Sequence, residues 1–340
     1  MNAPAIWFPA VRTRTGTDVF TERLVTGLQA RGVRAEISWL PLRAEYAPWT
    51  VLAPRAPEWA TLCHINTWLH PRFVPKHLPV VATLHHSIHD PALCPYKDWQ
   101  HASYHRLWIA PNERRILRRA DRVVAVSQYV ENMARLTLCD VPMQVIYNGV
   151  NTDVFCLGHR QRQLGGAFRL LYIGGWKQLK GVDLLAPIMR ELGGGFELRY
   201  TGGVAAERDK SSMPANMRDL GKLSSYQVVA AMQDADALLF PSRSEGFGLV
   251  VAEAMACGLP VIAARCSSLV EVVEDGVTGL LCLQEDISAM VAAVRSLADD
   301  PPKLQAMRLA ARSDAVARFS DMRMIDAYVS LYCAVAPMHV

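Results

Sequence analysis

Several things that would narrow the class of a 340-residue chain at once are missing from this one. Its eight cysteines form no Cys-x-x-Cys pair and follow no regular spacing. Several lie inside apolar runs, so the pattern is that of reduced core cysteines in a cytoplasmic chain and not of a disulfide framework. No apolar run approaches the ~18 residues of a membrane span, and no charged segment precedes an apolar one at the N-terminus as in a secretory signal. There is no Asp-x-Asp pair in a candidate site, no repeat at a solenoid period and no low-complexity tract. Charge is sparse at 20% of residues and nets +4. Residues 1–157 hold 17 Lys/Arg against 12 Asp/Glu and residues 158–340 hold 19 against 20, so an anionic partner is expected on the first half. Nucleic acid is not expected as a partner.

What is present is an ordinary α/β composition, 51% hydrophobic, in a chain long enough for two cores. The stretch from Ala235 to Arg265 organises the rest. An apolar run, Ala237–Phe240, meets Pro241 and Ser242 as a buried strand meets its loop. The loop runs through Glu245, Gly246, Phe247 and Gly248 into an apolar segment, Leu249 to Cys257. Gly258 and Pro260 stop that segment as they would a helix, and Val261–Ala264 is the next strand. The helix is apolar almost all round and therefore buried, yet Glu253 sits in its middle. A carboxylate there requires a charged partner or a ligand's hydroxyls. At the helix start, free N–H groups and the helix dipole can hold an anion such as phosphate.

Strand-like runs at Ala5–Val11, Ile37–Leu40, Thr61–Ile65, Pro79–His86, Arg122–Ser127 and Gln144–Tyr147 alternate with helical segments, among them Asn112–Ala120 and a stretch from about Tyr129 to Leu138. The alternation restarts at Arg169–Ile173 and continues through Glu197–Tyr200 to Gly279–Cys282. Residues 41–60 have no clear period, and residues 87–112 form a connection rich in histidine and aromatics. The fold predicted is α/β, with two Rossmann-like, doubly wound parallel-sheet domains facing a cleft. The boundaries expected are 1–157 and 158–321, with the polar stretch Leu157–Gly166 as linker and 322–340 as a C-terminal helix free to pack on either domain, including back on the first.

Lys177 and Lys180 follow a strand through Gly174 and Gly175, a place from which a lysine can neutralise a diphosphate; a solvated loop lysine is the alternative. Glu245 and Glu253 suit hydrogen bonding to sugar or ribose hydroxyls, although a core ion pair for Glu253, an exposed loop for Glu245, or a glycosidase pair are open on residues alone. Eight of ten histidines lie between His64 and His105. A metal site using His85, His86 and His89, or His101 with His105, is conceivable but matches no established ligand spacing; His85 stands apart because it ends a strand at the ligand-binding edge. Arg114, Arg115, Arg118 and Arg119 on the Asn112–Ala120 helix are either a solvated face or a contact with anionic lipid headgroups.

SRSEGFGLVVAEAMACGLPVIA closely resembles the donor-binding signature of family 4 retaining glycosyltransferases, which have the GT-B fold. RRADRVVAVSQ (118–128), VIYNGVNTDVF (145–155), the Lys180-Gly181 pair and VEDGVTGLL (273–281) resemble the same family at matching places. The resemblance implies a nucleotide diphosphate-sugar donor on the C-terminal domain and a glycan or polyprenyl-linked acceptor on the N-terminal one, with no metal and no other cofactor. It implies catalytic roles for His85 and Glu245. It also implies donor binding by Gly16, Lys177, Lys180, Glu245, Gly246, Phe247, Gly248, Leu249 and Glu253, with Glu253 on the ribose and Glu245 on the transferred sugar. Two positions depart from the pattern: Gly175 stands where an arginine is usual, with Lys177 as its nearest replacement, and Gly16 is a lone glycine in its loop. The expected activity is retaining, metal-independent transfer of a hexose in bacterial surface polysaccharide assembly, in the cytoplasm and at the inner face of its membrane. The rivals are a sugar-nucleotide epimerase or hydrolase on the same architecture, and a nucleotide-sugar-binding protein without catalysis.

Overall fold

The computed structural model describes residues 4–158 and 166–335. The chain divides into two compact units, Met1–Gly149 with Asp321–Val340, and Val150–Ser320.

Unit 1 begins with β1 (Ile6–Val11), whose six residues are all buried. A strand apolar on both faces belongs inside a parallel sheet covered by helices. α1 (Gly16–Ala30) follows, burying Phe20, Leu24, Val25 and Leu28 on one face, then β2 (Ala35–Leu40) and a one-turn helix α2 (Arg43–Tyr46). β3 (Leu62–Asn66), β4 (Val80–Leu84), α3 (Trp99–Tyr104), α4 (Ala110–Arg119), β5 (Arg122–Ala125), α5 (Gln128–Thr137) and β6 (Met143–Val145) complete the sequence. The sheet runs β2-β1-β3-β4-β5-β6, every pairing parallel.

Unit 2 contains β7 (Phe168–Tyr172), α6 (Val182–Leu192), β8 (Phe196–Tyr200), β9 (Met217–Asp219), α7 (Ser225–Asp234), β10 (Ala237–Phe240), α8 (Leu249–Ala256), β11 (Val261–Ala264), α9 (Leu269–Val272), β12 (Gly279–Cys282), α10 (Ile287–Ala298) and α11 (Pro301–Phe319). Its sheet is again parallel, in the order β12-β11-β10-β7-β8-β9. α8 buries all six residues from Val251 to Ala256, Glu253 among them. Arg312 of α11 reaches the last carbonyl of α8, at Ala256, and the carbonyls of Thr152 and Phe155.

The last helix, α12 (Asp321–Val335), belongs to unit 1. Met324, Ile325, Tyr328, Leu331 and Tyr332 join Phe20, Leu24, Val25 and Leu28 of α1 in one apolar cluster. The chain passes between units at Gly149–Val150 and at Ser320–Asp321, not at the expected 157 and 321. The segment after Gly149 is already held by unit 2: Val150 N–H donates to the Phe319 carbonyl at 2.8 Å, and Gln233 donates to the carbonyl of Cys156 at 2.9 Å. Most of the expected linker, residues 159–165, lies outside the described residues.

Three segments differ from the sequence expectation. β9 carries no apolar run, and its place comes from pairing with Leu198–Tyr200. Residues 43–50 fold as α2 and a 3₁₀ turn, Pro48–Thr50. The 87–112 connection is largely helical: Asp98 caps α3 by accepting from the His101 N–H at 2.8 Å, and α3 continues through a π turn, His105–Ile109, into α4.

Candidate functional site

The residues singled out in the sequence fall into one group in each unit. In unit 2 the carboxyl ends of β7 and β10 deliver two loops that lock together. Gly181 has φ +70, and a Cβ on it would stand 2.1 Å from the Pro241 carbonyl oxygen, so only glycine allows this approach. Arg243 N–H donates to the Leu179 carbonyl at 2.9 Å. The Arg243 guanidinium, 3% exposed, holds Asp183 through two bonds of 2.7 and 2.8 Å and Glu285 through a third of 2.8 Å, and also bonds the Gln178 carbonyl. A fork of this kind fixes orientation as well as position.

That frame places Lys180 against Glu245. The ammonium lies 2.6 Å from Oε1, and the Ser242 hydroxyl donates to the same oxygen at 2.7 Å. The Glu245 N–H donates to Ser267 Oγ at 2.9 Å, while Ser268 Oγ donates to the Glu245 carbonyl at 3.0 Å. Glu245 is therefore a buried carboxylate with a fixed orientation and not a residue of an exposed loop. Buried Ser244 Oγ has no hydrogen-bond partner among the described residues. Gly246, Phe247 and Gly248 are buried, and Phe247 packs edge-on against Phe319. Gly248, at φ +88, caps α8, and Leu249 is its first residue. Glu253 lies one turn further in, 7% exposed.

The structure sets Lys177 apart from this group. It is exposed and precedes the short turn Gln178–Lys180. Gly175 is exposed too, with no atom within 4 Å of where its Cβ would be. Beyond β8, Asp219 gathers the N–H groups of Gly202, Gly203 and Gly221 at 2.8–3.2 Å, tying together the two loops on that side.

In unit 1, His85 follows β4. Its Nε2 shares a hydrogen bond of 2.9 Å with Asn66 Oδ1, its ring meets Phe20 edge-on, and burial holds its pKa well below the ordinary value. Beneath it runs a neutral buried network: His64 bonds Tyr332 Oη at 2.5 Å and Thr83 Oγ1 at 2.8 Å, and Thr83 meets Tyr328 Oη at 3.1 Å. Burial, with a smaller contribution from His85, pushes the pKa of His64 down to about 3. Gly16 opens α1 with open space around it, but the N–H groups of Thr13 and Arg14 are already taken by the Asp18 carboxylate at 2.7–3.2 Å.

Three of the five histidines considered as metal ligands are engaged individually: His89 with Glu113 at 2.9 Å, His101 with Asp98 at 2.7 Å, His85 with Asn66. No set of three or more His, Cys, Asp or Glu among the described residues is placed to hold an ion. Two of the four arginines considered for lipid contact serve the fold: Arg114 donates to the carbonyls of Thr137 and Leu138 at the end of α5, and Arg119 to those of Pro75 and Leu78. Arg115 and Arg118 are exposed. No helix among the described residues is long and apolar enough to cross a membrane.

Two family models match this chain in tandem. Residues 38–154 match Glycosyltransferase Family 4, and residues 164–314 match Glycosyl transferases group 1. The chain belongs to this glycosyltransferase family. An uncharacterised glycosyltransferase of Methanocaldococcus jannaschii is 34% identical over 165 residues, which are 48% of this chain and 45% of the relative. The chain spans about half the length of the curated relatives it matches. Among solved structures, sucrose-phosphate synthase from Thermosynechococcus elongatus superposes with a TM-score of 0.80 at 20% identity, over 97% of this chain and 98% of that one. HepE from Anabaena, in complex with UDP and glucose, gives 0.74 at 18%, over 97% and 100%. These likenesses establish the GT-B fold. The frame residues Arg243, Asp183, Ser242 and Ser267 were missed in the sequence. Ser242 and Arg243 do carry a signal, the run of polar residues Ser242–Glu245 between an apolar strand and an apolar helix, a place where polarity needs partners.

Proposed function

We propose that the chain moves a sugar from a nucleotide diphosphate-sugar to a glycan or lipid-linked glycan, with retention at the anomeric carbon. One observation carries the reading: Lys180 and Glu245 meet at 2.6 Å beside the glycine-capped start of α8, with Glu253 buried within that helix. In the reaction the bond from the anomeric carbon to the diphosphate oxygen breaks, a bond to an acceptor hydroxyl oxygen forms, and the hydroxyl proton leaves with the diphosphate. Charge grows on the phosphate oxygens. Lys180 and the N–H groups from Gly246 to Leu249 are the fixed positive groups that meet it, which supports a metal-independent reaction. Lys180 then exchanges Glu245 for phosphate, releasing the carboxylate to accept hydroxyls of the transferred sugar. Glu253 takes the ribose hydroxyls, Lys177 adds charge from the loop, and Gly16 and His85 are the contributions of unit 1.

UDP-sugars are the first donors to test, because HepE, which shares the fold, is described with UDP and glucose. A donor bound at a hundred times its Kd raises stability by about 2.7 kcal/mol, a clear thermal shift. Lys180→Ala and Glu253→Ala should each lower transfer by about 100-fold or more while the protein stays folded. Near-normal turnover in both variants would sink the assignment. Gly175, lacking the arginine usual at that place, favours a second reading, a nucleotide-sugar-binding protein without transfer; donor binding with no product on any acceptor would select it. We place the activity in bacterial surface polysaccharide assembly on the strength of the Glu245–Glu253 stretch with the Lys180 loop, and at the cytoplasmic membrane surface on the strength of the basic first half of the chain.

A further inference from the structure

Two adjoining depressions in unit 1 extend from His85 to residues that have no role so far. The first has a volume of about 420 Å³, within the range of small-molecule sites. Thr15, Thr67, Trp68, His85 and His105 line it, with Glu45 and Glu113. The second, about 490 Å³, shares Leu42, Glu45 and His105 with the first and adds Tyr46, Gln100, His101 and Tyr104. The π turn His105–Ile109 is what brings His105 to the junction of the two, and π turns recur at functional sites.

The charges in this groove have one sign. Glu113 accepts from Thr67 Oγ1 at 2.9 Å and is paired with His89, and Glu45 accepts from Tyr104 Oη at 3.1 Å. No lysine or arginine lines either depression among the described residues. Lys97, the cation that acts on His105, has its ammonium on the Ile88 carbonyl and near Asp90. Burial lowers the pKa of His85 and takes that of His105 to about 4, so neither adds positive charge at neutral pH, and His101 on the rim is held by Asp98. An anion placed here would face two carboxylates with no lysine or arginine to meet it. A hydroxyl-bearing ligand would instead find a row of neutral donors and acceptors. Buried His105 Nδ1 and, beside the lining residues His86 and Ile88, Ser87 Oγ have no hydrogen-bond partner among the described residues. Trp68, Tyr46 and Tyr104 offer apolar faces with polar edges, which suits a sugar ring whose C–H face needs cover while its hydroxyls stay bonded.

We propose that the acceptor is the uncharged end of a glycan, its terminal sugar beside His85 and Trp68 and the preceding sugar beside Tyr46 and Tyr104, and that sugar phosphates are refused. This rests on the transferase reading and names the acceptor class for it.

The test is binding by saturation-transfer NMR on the full chain with UDP present. The probes are glucose, galactose, mannose and N-acetylglucosamine as methyl glycosides and as disaccharides, each beside its 6-phosphate. At least one neutral disaccharide should bind, about tenfold tighter than its methyl glycoside and at least tenfold tighter than any 6-phosphate. Trp68→Ala should weaken it about tenfold, and Glu45→Lys should bring a 6-phosphate to parity. A 6-phosphate bound equally well in the wild type, no neutral sugar bound at all, or binding indifferent to Trp68→Ala would each overturn the proposal. UDP binding in the same samples reports on unit 2, so its loss strikes the transferase reading. Transfer of labelled glucose to 6-phosphates alone would spare that reading and overturn this one.

Discussion

The two units are built on the same plan, six parallel strands wrapped by helices, and they handle buried polarity in opposite ways. Unit 2 gathers charges, from buried to half exposed, and pairs them. Lys180 meets Glu245, Arg243 grips Asp183 and Glu285, and Arg169 and Arg199 share Asp234. Around β3 and β4, unit 1 buries neutral groups and chains them, His64 to Tyr332 and Thr83, Thr83 to Tyr328, His85 to Asn66. Paired charges preorganise a field, and a ligand diphosphate can draw on it by exchanging partners. Neutral chains set directions for hydrogen bonds without favouring ions. The contrast fits a charged donor on one unit and hydroxyl chemistry on the other, and it can be broken experimentally from either side.

The largest effect is expected at the charged frame. Arg243→Ala removes a 3% exposed guanidinium and its four bonds to Asp183, Glu285 and the Gln178 carbonyl, leaving both carboxylates without their cation. Since those carboxylates are 43% and 53% exposed, water recovers part of the loss. We expect unit 2 to lose about 2–3 kcal/mol in urea unfolding, and nucleotide affinity to fall about tenfold as the Gln178–Gly181 loop loosens. Gly181→Ala should copy the affinity loss by pushing the same loop off Pro241. Unchanged UDP affinity in both variants would mean that the frame does not serve the donor.

Acid should separate the units next. His64 has a folded pKa of about 3 against an unfolded value near 6.5. Above pH 6.5 it is neutral in both states. As the pH falls below that, the unfolded chain takes up a proton that the folded chain refuses, and stability drops by up to about 1.4 kcal/mol per pH unit until pH 3. His70 and His105 are lowered as well and act in the same direction. In unit 2, Asp183 is depressed by its bonds to Arg243, so its contribution persists above the unfolded carboxylate pKa and is lost only as pH falls toward the folded value. Hydrogen exchange between pH 7 and 5 should therefore show unit 1 opening first. Earlier loss of protection in unit 2 would contradict the contrast.

A smaller effect isolates the neutral chain. Tyr332→Phe deprives His64 Nδ1 of its bond and should cost about 1–2 kcal/mol. Tyr328→Phe should cost less, because Thr83 keeps its bond to His64 Nε2. Equal losses would indicate that packing of α12, and not the polar chain, carries the stability.

Much of this was legible in the sequence, for reasons tied to particular residues. Ala237–Phe240 and Gly279–Cys282 are uninterrupted apolar runs, and the structure has strands at those bounds. Gly248 announces the start of α8 because only glycine sits easily at φ +88. β9 was invisible, since Met-Arg-Asp carries no pattern and gains its place from pairing alone. The Lys180–Glu245 contact joins residues 65 apart, and no periodicity reports such a meeting. Arg243 reads as one more loop residue until Asp183 and Glu285, from two other elements, converge on it. The groove at Glu45, Tyr104 and His105 was hidden likewise, because α2, α3 and the π turn are too short to show a period.

The smallest effects test whether the arginines of α4 form a surface for anionic lipid or a structural set. Arg114 donates to two carbonyls at the end of α5, the place where a cation best complements a helix. Arg114→Ala should cost about 1 kcal/mol and leave vesicle binding unaltered. Arg115 and Arg118 are exposed, so replacing both with alanine should change stability by less than about 0.5 kcal/mol. If this face meets anionic headgroups, each arginine is worth about 1 kcal/mol near the surface. The double variant should then bind phosphatidylglycerol vesicles about thirtyfold more weakly than the wild type in sedimentation. Equal sedimentation of the two proteins, or none with either, would assign all four arginines to solvent and fold, and the acceptor groove would have to meet its glycan without help from a charged membrane.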